Sequence, residues 1–219
     1  MTVRKASHCL GSPGQAAPAD GAVRSLLGVP ALYRAFAQLI GGKSRSVYLQ
    51  TYVHPQPGDR VLDIGCGPGD VLEQLPAVEY VGIDSSAPYI RAARRRFGER
   101  ARFLLSPIRD VVLDDPGSYH LAMATGVVHH LDDEGAVSLF RLASRALRPD
   151  GRLVTLDGCY EERQSSLARL LLRLDRGKFV RQRAAYVQLA SQVFRRVEVH
   201  VRHDLLRLPY THIILVCRP

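Results

Sequence analysis

The stretch VLDIGCGPGD, residues 61–70, carries the strongest structural signal in this chain. A short apolar run leads there into three glycines at alternating positions, Gly65, Gly67 and Gly69. Glycine inside a regular element costs roughly 0.5–1 kcal/mol relative to alanine, so folding alone rarely selects three of them within such a short segment. The stretch therefore predicts a strand that ends in a tight turn, where something approaches the bare main chain.

The composition is that of an ordinary globular domain. The chain has 219 residues, of which 46% are hydrophobic and 23% are charged, and this length allows one domain with a sizeable core. No apolar run approaches the ~20 residues that a membrane-spanning helix needs. The first residues lack the apolar centre of a secretory signal. We therefore expect no membrane span and a cytoplasmic location.

The cysteines predict neither a metal site nor disulfides. Cys9, Cys66, Cys159 and Cys217 are scattered along the chain and form no CxxC pair. Zinc sites and disulfide frameworks both show regular cysteine spacing, which is missing here. We expect reduced cysteines that pack in the interior, and we assign no metal ligands.

The formal net charge of +9 is compatible with binding to nucleic acid or to an anionic substrate, or with a merely arginine-rich surface. Basic residues concentrate in segments 91–102 and 169–183. Each of these segments is also typical of the solvated face of a helix. We favour that interpretation over nucleic-acid binding.

Strand-length apolar runs alternate with helical stretches through the middle of the chain. The runs lie at residues 60–64, 80–84, 102–105, 120–124 and 152–157. This alternation predicts parallel strands joined by right-handed crossovers. Two final strands, at 194–201 and 211–218, are joined by a segment too short for a crossover helix and should pair antiparallel. The predicted fold is α/β, with a doubly wound seven-stranded sheet that is mostly parallel and closes on an antiparallel hairpin.

We divide the chain into a loose tail at residues 1–22 and a single domain at residues 23–219. The parts of the domain are cap helices at 30–53, a core at 54–157, a cap insertion at 158–191 and the closing hairpin at 194–218. The cap comprises two predicted helices, at 30–40 and 43–53, and the core three, at 69–75, 87–97 and 132–148.

Four segments, in this order, resemble the class I S-adenosylmethionine-dependent methyltransferases. They are VLDIGCGPGD (61–70), YVGIDSS (80–86), VVHHLDD (127–133) and RALRPDGRLV (145–154). The resemblance covers residues 54–157, and the terminal strand pair fits the closing hairpin of that family. It implies a Rossmann-like fold, S-adenosyl-L-methionine as cofactor, and transfer of a methyl group. The compact core favours an oxygen or nitrogen atom of a small molecule as acceptor.

The resemblance places the cofactor at the ends of the first three strands. The GxGxG spacing differs from the GxGxxG of nicotinamide dinucleotide sites, and Asp70 would repel a pyrophosphate. Asp63 is implied to receive the ammonium group and Asp84 to accept both ribose hydroxyls. Pro107 stands where family members commonly have an adenine-binding aspartate, so backbone groups around Ile108 and apolar packing should hold the adenine, with Asp110 as a weaker candidate. The expected cofactor-binding residues are Asp63, Gly65, Cys66, Gly67, Gly69, Asp84, Ser85 and Ile108.

Purely structural interpretations of these residues stay open. Asp84 could cap the helix that begins near Ser86, and the three glycines could form an ordinary turn. We favour the ligand-binding role in both cases, because the residues lie together at the end of predicted parallel strands, where α/β proteins bind ligands.

Methyl transfer from a sulfonium is an in-line displacement, and orientation alone can supply about 7 kcal/mol of the barrier. A base is needed only when the proton of the nucleophile must leave early. The candidate catalytic residues are His129, which follows the fourth strand, and Asp157, which ends the fifth. His129 could instead pack at the start of a helix. Tyr210 and His212 form a weaker third group.

The expected partner is a small-molecule methyl acceptor, which could be anionic. Four arginines of the cap insertion could bind an anion or form a solvated helix face: Arg169, Arg173, Arg176 and Arg181. A nucleic-acid methyltransferase is disfavoured, because the fourth strand lacks an Asn/Asp-Pro-Pro-Tyr/Phe segment that stacks a base. A protein that cleaves, cyclises or only binds the cofactor stays open, as do the acceptor and the oligomeric state.

The ribose assignment makes a first prediction. Asp84→Ala should weaken binding of S-adenosylmethionine at least tenfold, about 1.4 kcal/mol, because the two ribose hydroxyls lose their acceptor. Isothermal calorimetry measures this directly, and an unchanged affinity would refute the assignment.

Overall fold

The computed structural model describes residues 44–175 and 177–219. The strands of this part are β1 (Arg60–Ile64), β2 (Glu79–Asp84), β3 (Arg102–Leu105), β4 (Tyr119–Thr125), β5 (Leu147–Tyr160), β6 (Arg181–Gln182), β7 (Arg196–Arg202) and β8 (His212–Arg218). Its α-helices are α1 (Ser44–Tyr48), α2 (Ala87–Phe97), α3 (Asp133–Ala146), α4 (Ser166–Leu174) and α5 (Arg183–Ser191). The tail predicted at 1–22, the helix predicted at 30–40, Cys9 and Arg176 lie outside the described residues.

The strands form one main sheet in the order β3-β2-β1-β4-β5-β8-β7. The first five of these are mutually parallel, and β8 runs antiparallel to both β5 and β7. The predicted doubly wound, seven-stranded sheet with an antiparallel closing hairpin is therefore confirmed. The two-residue strand β6 pairs with the end of β5, off this path.

Each face of the sheet buries its own apolar layer. On one face, Leu139 and Phe140 of α3 pack with Tyr186 of α5 against the strands. On the other face, Tyr48 of α1 and Ile90 of α2 belong to a second cluster. A parallel sheet covered on both faces needs apolar side chains at successive strand positions, which explains the near-continuous apolar runs in the sequence.

Local signals account for where the helices begin. α3 is preceded by Asp132, whose side chain accepts a hydrogen bond from the main-chain N–H of Gly135 (2.8 Å). α2 has a proline in its first turn, where the missing N–H costs nothing. The helices predicted at 87–97 and 132–148 are thus observed, the second slightly shorter than predicted.

The helix predicted at residues 69–75 is wrong. The chain forms only a short 3₁₀ segment there, Asp70–Gln74. Leu75 is already extended, with φ −83° and ψ 146°, because a residue that precedes proline avoids the helical region and Pro76 follows it. The turn after β1 therefore has no long helix whose N-terminus could point at a ligand.

The second predicted cap helix is observed over residues 44–53. α1 continues as a π-helical turn over Leu49–Val53 and ends at His54, which has φ 47°. The buried hydroxyl of Tyr48 donates a hydrogen bond to the main-chain oxygen of Val154 (3.0 Å), which attaches this cap to β5. None of the described helices combines the length and the apolar character needed to cross a bilayer.

β5 is longer than the run predicted at 152–157. It begins at Leu147 and continues to Tyr160, so the predicted core boundary at residue 157 falls inside the strand. The extension carries Cys159 and Tyr160 into the pairing with β6. The cap insertion is thereby continuous with the sheet.

Candidate functional site

A cleft of about 670 Å³ lies at the carboxyl ends of β1, β2 and β4. The sheet order places β1 and β4 side by side although β2 and β3 intervene in the sequence. Such a switch in strand order is where α/β proteins bind ligands. Of the residues expected to bind the cofactor, five line this cleft: Gly65, Gly67, Asp84, Ser85 and Ile108.

The glycine turn brings the main chain to the cleft for two different physical reasons. Gly65 has φ +76°, and a Cβ there would lie 2.5 Å from Cγ2 of Val127, which packs directly over the turn. Gly67 has φ +55°, and a Cβ added to it would have no neighbouring atom within 4 Å, so this residue faces open space. Gly65 is required by packing, whereas Gly67 leaves the floor of the cleft bare.

Asp84 connects the turn to the next helix. Its Oδ2 accepts a hydrogen bond from the main-chain N–H of Gly67 (2.9 Å), and its Oδ1 accepts one from that of Ser86 (2.7 Å). A carboxylate has about four lone-pair sites, so both oxygens retain capacity for a ligand in the cleft. The structural role near Ser86 and a ligand-binding role are therefore compatible.

Three expected cofactor residues do not line the cleft. Gly69 packs against the ring of Phe103, and Cys66 is buried in the apolar layer beneath the turn. Asp63 is buried too, where its Oδ2 accepts a hydrogen bond from the hydroxyl of Tyr80 (2.6 Å). Burial raises the pKa of Asp63 to about 7, although the Tyr80 hydrogen bond acts in the opposite direction. Any contact of Asp63 with the ammonium group stays a prediction.

The opposite walls of the cleft include residues to which the sequence patterns assigned no cofactor contact. Ser106 and Pro107 follow β3, Tyr89 comes from α2, and Val127 and His130 follow β4. In the sequence, the segment after β4 belongs to the resemblance through residues 127–133 and supplies the catalytic candidate His129, but none of its residues was expected to contact the cofactor. Its position at the end of a central strand was the signal that could have identified it.

His129, a predicted catalytic residue, does not line the cleft but forms a buried pair with the other candidate, Asp157. Oδ1 of Asp157 lies 2.8 Å from Nδ1 of His129 and also accepts its main-chain N–H (3.1 Å). Asp157 is 1% exposed. The sequence predicted both residues at the same sheet edge, and the structure brings them together.

A segment of the cap insertion covers this pair. We name residues 175 and 177–181 the strap. Asp175 of the strap places its Oδ1 3.7 Å from Nε2 of His129, and its other oxygen accepts a hydrogen bond from the hydroxyl of Tyr210. Burial alone would lower the pKa of His129, but the hydrogen bond with Asp157 and the facing carboxylate of Asp175 outweigh it and raise the pKa to about 9.

The weaker candidates Tyr210 and His212 adjoin the same cluster. Their rings are in contact, with centroids 4.7 Å apart and planes tilted by 45°. Burial lowers the pKa of His212 to about 4, so this imidazole is neutral near pH 7. Desolvation is also the main reason why the pKa of Tyr210 rises, with the nearby charge of Asp175 adding to it. Neither side chain lines the cleft.

Of the arginines considered for anion binding, the structure describes three, and two of these make hydrogen bonds within the protein. Arg181 donates to the main-chain oxygens of Val128, Leu131 and Phe179 and pairs with Asp133. Arg169 donates to the main-chain oxygen of Glu161. Arg173 is exposed at the surface.

Metal ligands are not apparent within residues 44–175 and 177–219, where no three His, Cys, Asp or Glu side chains converge suitably. The cysteines of these ranges, Cys66, Cys159 and Cys217, are free and buried.

Comparison with known proteins finds a family that matches part of the domain. Residues 61–151 match the family described as methyltransferase domain. This range runs from β1 into the first part of β5, so it contains the glycine turn, Asp84 and the segment after β4.

Two curated relatives share the same region. Nocamycin O-methyltransferase of Saccharothrix syringae is 38% identical over 112 residues, covering 46% of this chain and 38% of that protein. Malonyl-[acyl-carrier protein] O-methyltransferase of Legionella pneumophila is 32% identical over 100 residues, covering 43% of this chain and 34% of that protein. The similarity thus spans little more than a third of these relatives.

Phosphoethanolamine N-methyltransferase 2 of Haemonchus contortus has a similar solved structure, in complex with phosphomonomethylethanolamine and S-adenosylhomocysteine. Its TM-score is 0.71 at 15% sequence identity, and the alignment covers 90% of this chain and 58% of that chain. At this identity the likeness confirms the Rossmann-like fold.

Substitutions in the glycine turn should separate packing from backbone strain. Gly65→Ala and Gly67→Ala both place a Cβ on left-handed backbone, at roughly 1–2 kcal/mol. Only Gly65→Ala also forces a Cβ against Val127, so overpacking should cost about 1–3 kcal/mol more. Urea denaturation followed by circular dichroism measures both, and equal destabilisation would contradict the packing role of Gly65.

The buried His129 cation should make stability depend on pH. A pKa raised from 6.5 to about 9 means that its stabilising contribution is complete below pH 6.5 and is lost as pH rises through 9. Relative to His129→Gln, the free energy of unfolding of the natural chain should fall by on the order of 3 kcal/mol between about pH 6 and pH 10. If the free energies of unfolding of the two proteins changed in parallel with pH, this prediction would be wrong.

Proposed function

Residues 61–151 belong to the methyltransferase-domain family, and from this premise we propose that the chain transfers a methyl group from S-adenosylmethionine to an oxygen or nitrogen atom of a small molecule. The fold, the family and the cofactor agree with the resemblance found in the sequence. The choice of acceptor is the further step, supported by the small-molecule acceptors named for similar proteins.

The observation that carries the proposal is the bare, open main chain at Gly67 beside the carboxylate of Asp84. This arrangement fits the cofactor, because a side chain at residue 67 would project into the cleft and Asp84 retains acceptor capacity for ribose hydroxyls. Ser85 and the main chain around Ile108 complete the proposed binding residues on that side. When bound, the cofactor supplies an activated methyl group on a positively charged sulfur.

In the proposed reaction, a bond forms between the acceptor oxygen or nitrogen and the methyl carbon while the bond from that carbon to sulfur breaks. The sulfur leaves as a neutral thioether, and the acceptor loses its proton to solvent. The chain contributes mainly alignment and exclusion of water. Phe179 and Val127 both line the cleft and are apolar groups that serve this purpose.

A base role for His129 or Asp157 stays a prediction. The ring nitrogens of His129 face Asp157 and Asp175, and the Asp157 side chain is buried away from the cleft. Because methyl transfer requires a base only when the proton must leave early, the proposed reaction does not depend on either residue.

The cytoplasmic location of the protein and the negative charge of its acceptor are also proposals. The three described cysteines are free and buried, which suits the reducing cytoplasm. The net charge of +9 and the presence of Arg109 at the cleft support an anionic acceptor. The lack of an Asn/Asp-Pro-Pro-Tyr/Phe segment at the end of β4 supports a small molecule over nucleic acid.

Turnover assays test the proposed function. The purified chain, S-adenosylmethionine and a panel of hydroxylated and aminated small molecules should yield S-adenosylhomocysteine, measured by mass spectrometry. Asp84→Ala should lower that yield at least tenfold because ribose binding is lost. Glu99→Ala, which removes an exposed acid from the 3₁₀ segment before β3, is the matched control and should behave like the natural chain.

Other products would exclude the proposal. Methylthioadenosine would mean attack on the aminocarboxypropyl arm of the cofactor. Salt-sensitive methylation of generic RNA in preference to every small acceptor would identify a nucleic-acid methyltransferase. Failure of the chain to bind S-adenosylmethionine or S-adenosylhomocysteine at millimolar levels would remove the basis of the whole assignment.

A further inference from the structure

We propose that His129 is a positioning residue: it holds the strap, residues 175 and 177–181, against the core, so that Phe179 forms a wall of the cofactor cleft. This inference rests on the proposed function, because it concerns how the same cleft is closed. In this proposal His129 acts by positioning Phe179, and it does not contact the reacting atoms.

The main chain of Phe179 is fixed on both sides. Its N–H donates a hydrogen bond to the main-chain oxygen of His129 (2.9 Å), and its own oxygen accepts one from Nη1 of Arg181 (2.9 Å). Arg181 in turn pairs with Asp133 at the start of α3. The side chain of Phe179, 40% exposed, lies at the cleft while its backbone is tied to the core.

The imidazole of His129 lies between the core and the strap. Nδ1 contacts Asp157 of β5 at 2.8 Å, and Nε2 faces Asp175 of the strap at 3.7 Å. Asp175 is held in turn by the main-chain N–H of Gly177 (3.1 Å) and by the hydroxyl of Tyr210. The ring lies between the buried carboxylate of Asp157 and the partly exposed carboxylate of Asp175. Displacing it would leave the buried charge of Asp157 unpaired, which resists that movement.

Two glycines let the backbone contact this ring closely. A Cβ on Gly177 of the strap would lie 2.1 Å from Cδ2 of His129, so the strap rests directly on the imidazole. A Cβ on Gly126, which lines the cleft, would lie 3.8 Å from Cε1 of the same ring. The ring is therefore in contact range of both the strap and the cleft floor, and its position sets the distance between them.

Binding measurements with S-adenosylhomocysteine test the inference without an acceptor. Phe179→Ala should weaken binding about tenfold because a wall of the cleft is lost. Asp175→Asn, which removes the charge that faces His129, should weaken binding about fivefold because the strap loosens. If Asp175 acts through Phe179, the double variant should bind within twofold of Phe179→Ala alone.

Independent effects would overturn the inference. A double variant about fiftyfold weaker than the natural chain would show that Asp175 acts without Phe179, and an unchanged affinity in Phe179→Ala would show that the wall is not used. Lys178→Gln is the matched control, since it alters an exposed residue of the same strap, and it should stay within twofold of the natural chain.

Tyr210→Phe provides a second route if Asp175→Asn fails to fold, as thermal unfolding would reveal. It removes only the hydrogen bond to Asp175 and should weaken binding about twofold, again without adding to Phe179→Ala. If the effects of Tyr210→Phe and Phe179→Ala on binding were fully additive, the inference would equally be overturned. If the natural chain itself does not bind S-adenosylhomocysteine, the proposed function fails; if it binds but the variants are additive, only the role of His129 fails.

Discussion

The carboxylate of Asp84 holds together the edge of the sheet on which the site depends. One oxygen accepts the N–H of Gly67 in the glycine turn and the other accepts the N–H of Ser86 before α2. A single side chain thus fixes the ends of β1 and β2 relative to each other. The turn can lie this close to the segment after β4 because Gly65 has no Cβ to strike Val127. Loss of either condition would change the shape of the cleft.

A second polar group lies beside this cleft, under the cap insertion. Burying Asp157 and His129 together costs desolvation energy. The hydrogen bond between these two side chains and the attraction of the facing Asp175 must offset that cost. A protein that needed only stability could place apolar side chains there. The charged cluster instead joins β5, the strap and the loop of Tyr210 in one defined geometry, which suits an element that must keep Phe179 at the cleft.

Much of the fold could be predicted from the sequence, because strand-length apolar runs and their intervening helices are local patterns. The same holds for Gly65, Gly67 and Asp84, which lie at strand ends and line the cleft as expected. The helix predicted at 69–75 does not form, because Pro76 keeps Leu75 out of the helical region. Asp63 is buried and accepts a hydrogen bond from Tyr80, and its contact with the cofactor stays a prediction.

The sequence by itself determined the α/β class, the parallel direction of the core strands and the position of the glycine turn. Each of these follows from periodicity or from residue types at neighbouring positions. Only the tertiary structure decided that His129 faces Asp157 and Asp175, and that Phe179 lies at the cleft. Those contacts join residues far apart in the chain, and their geometry depends on how the cap insertion folds over the sheet edge, which no local pattern encodes.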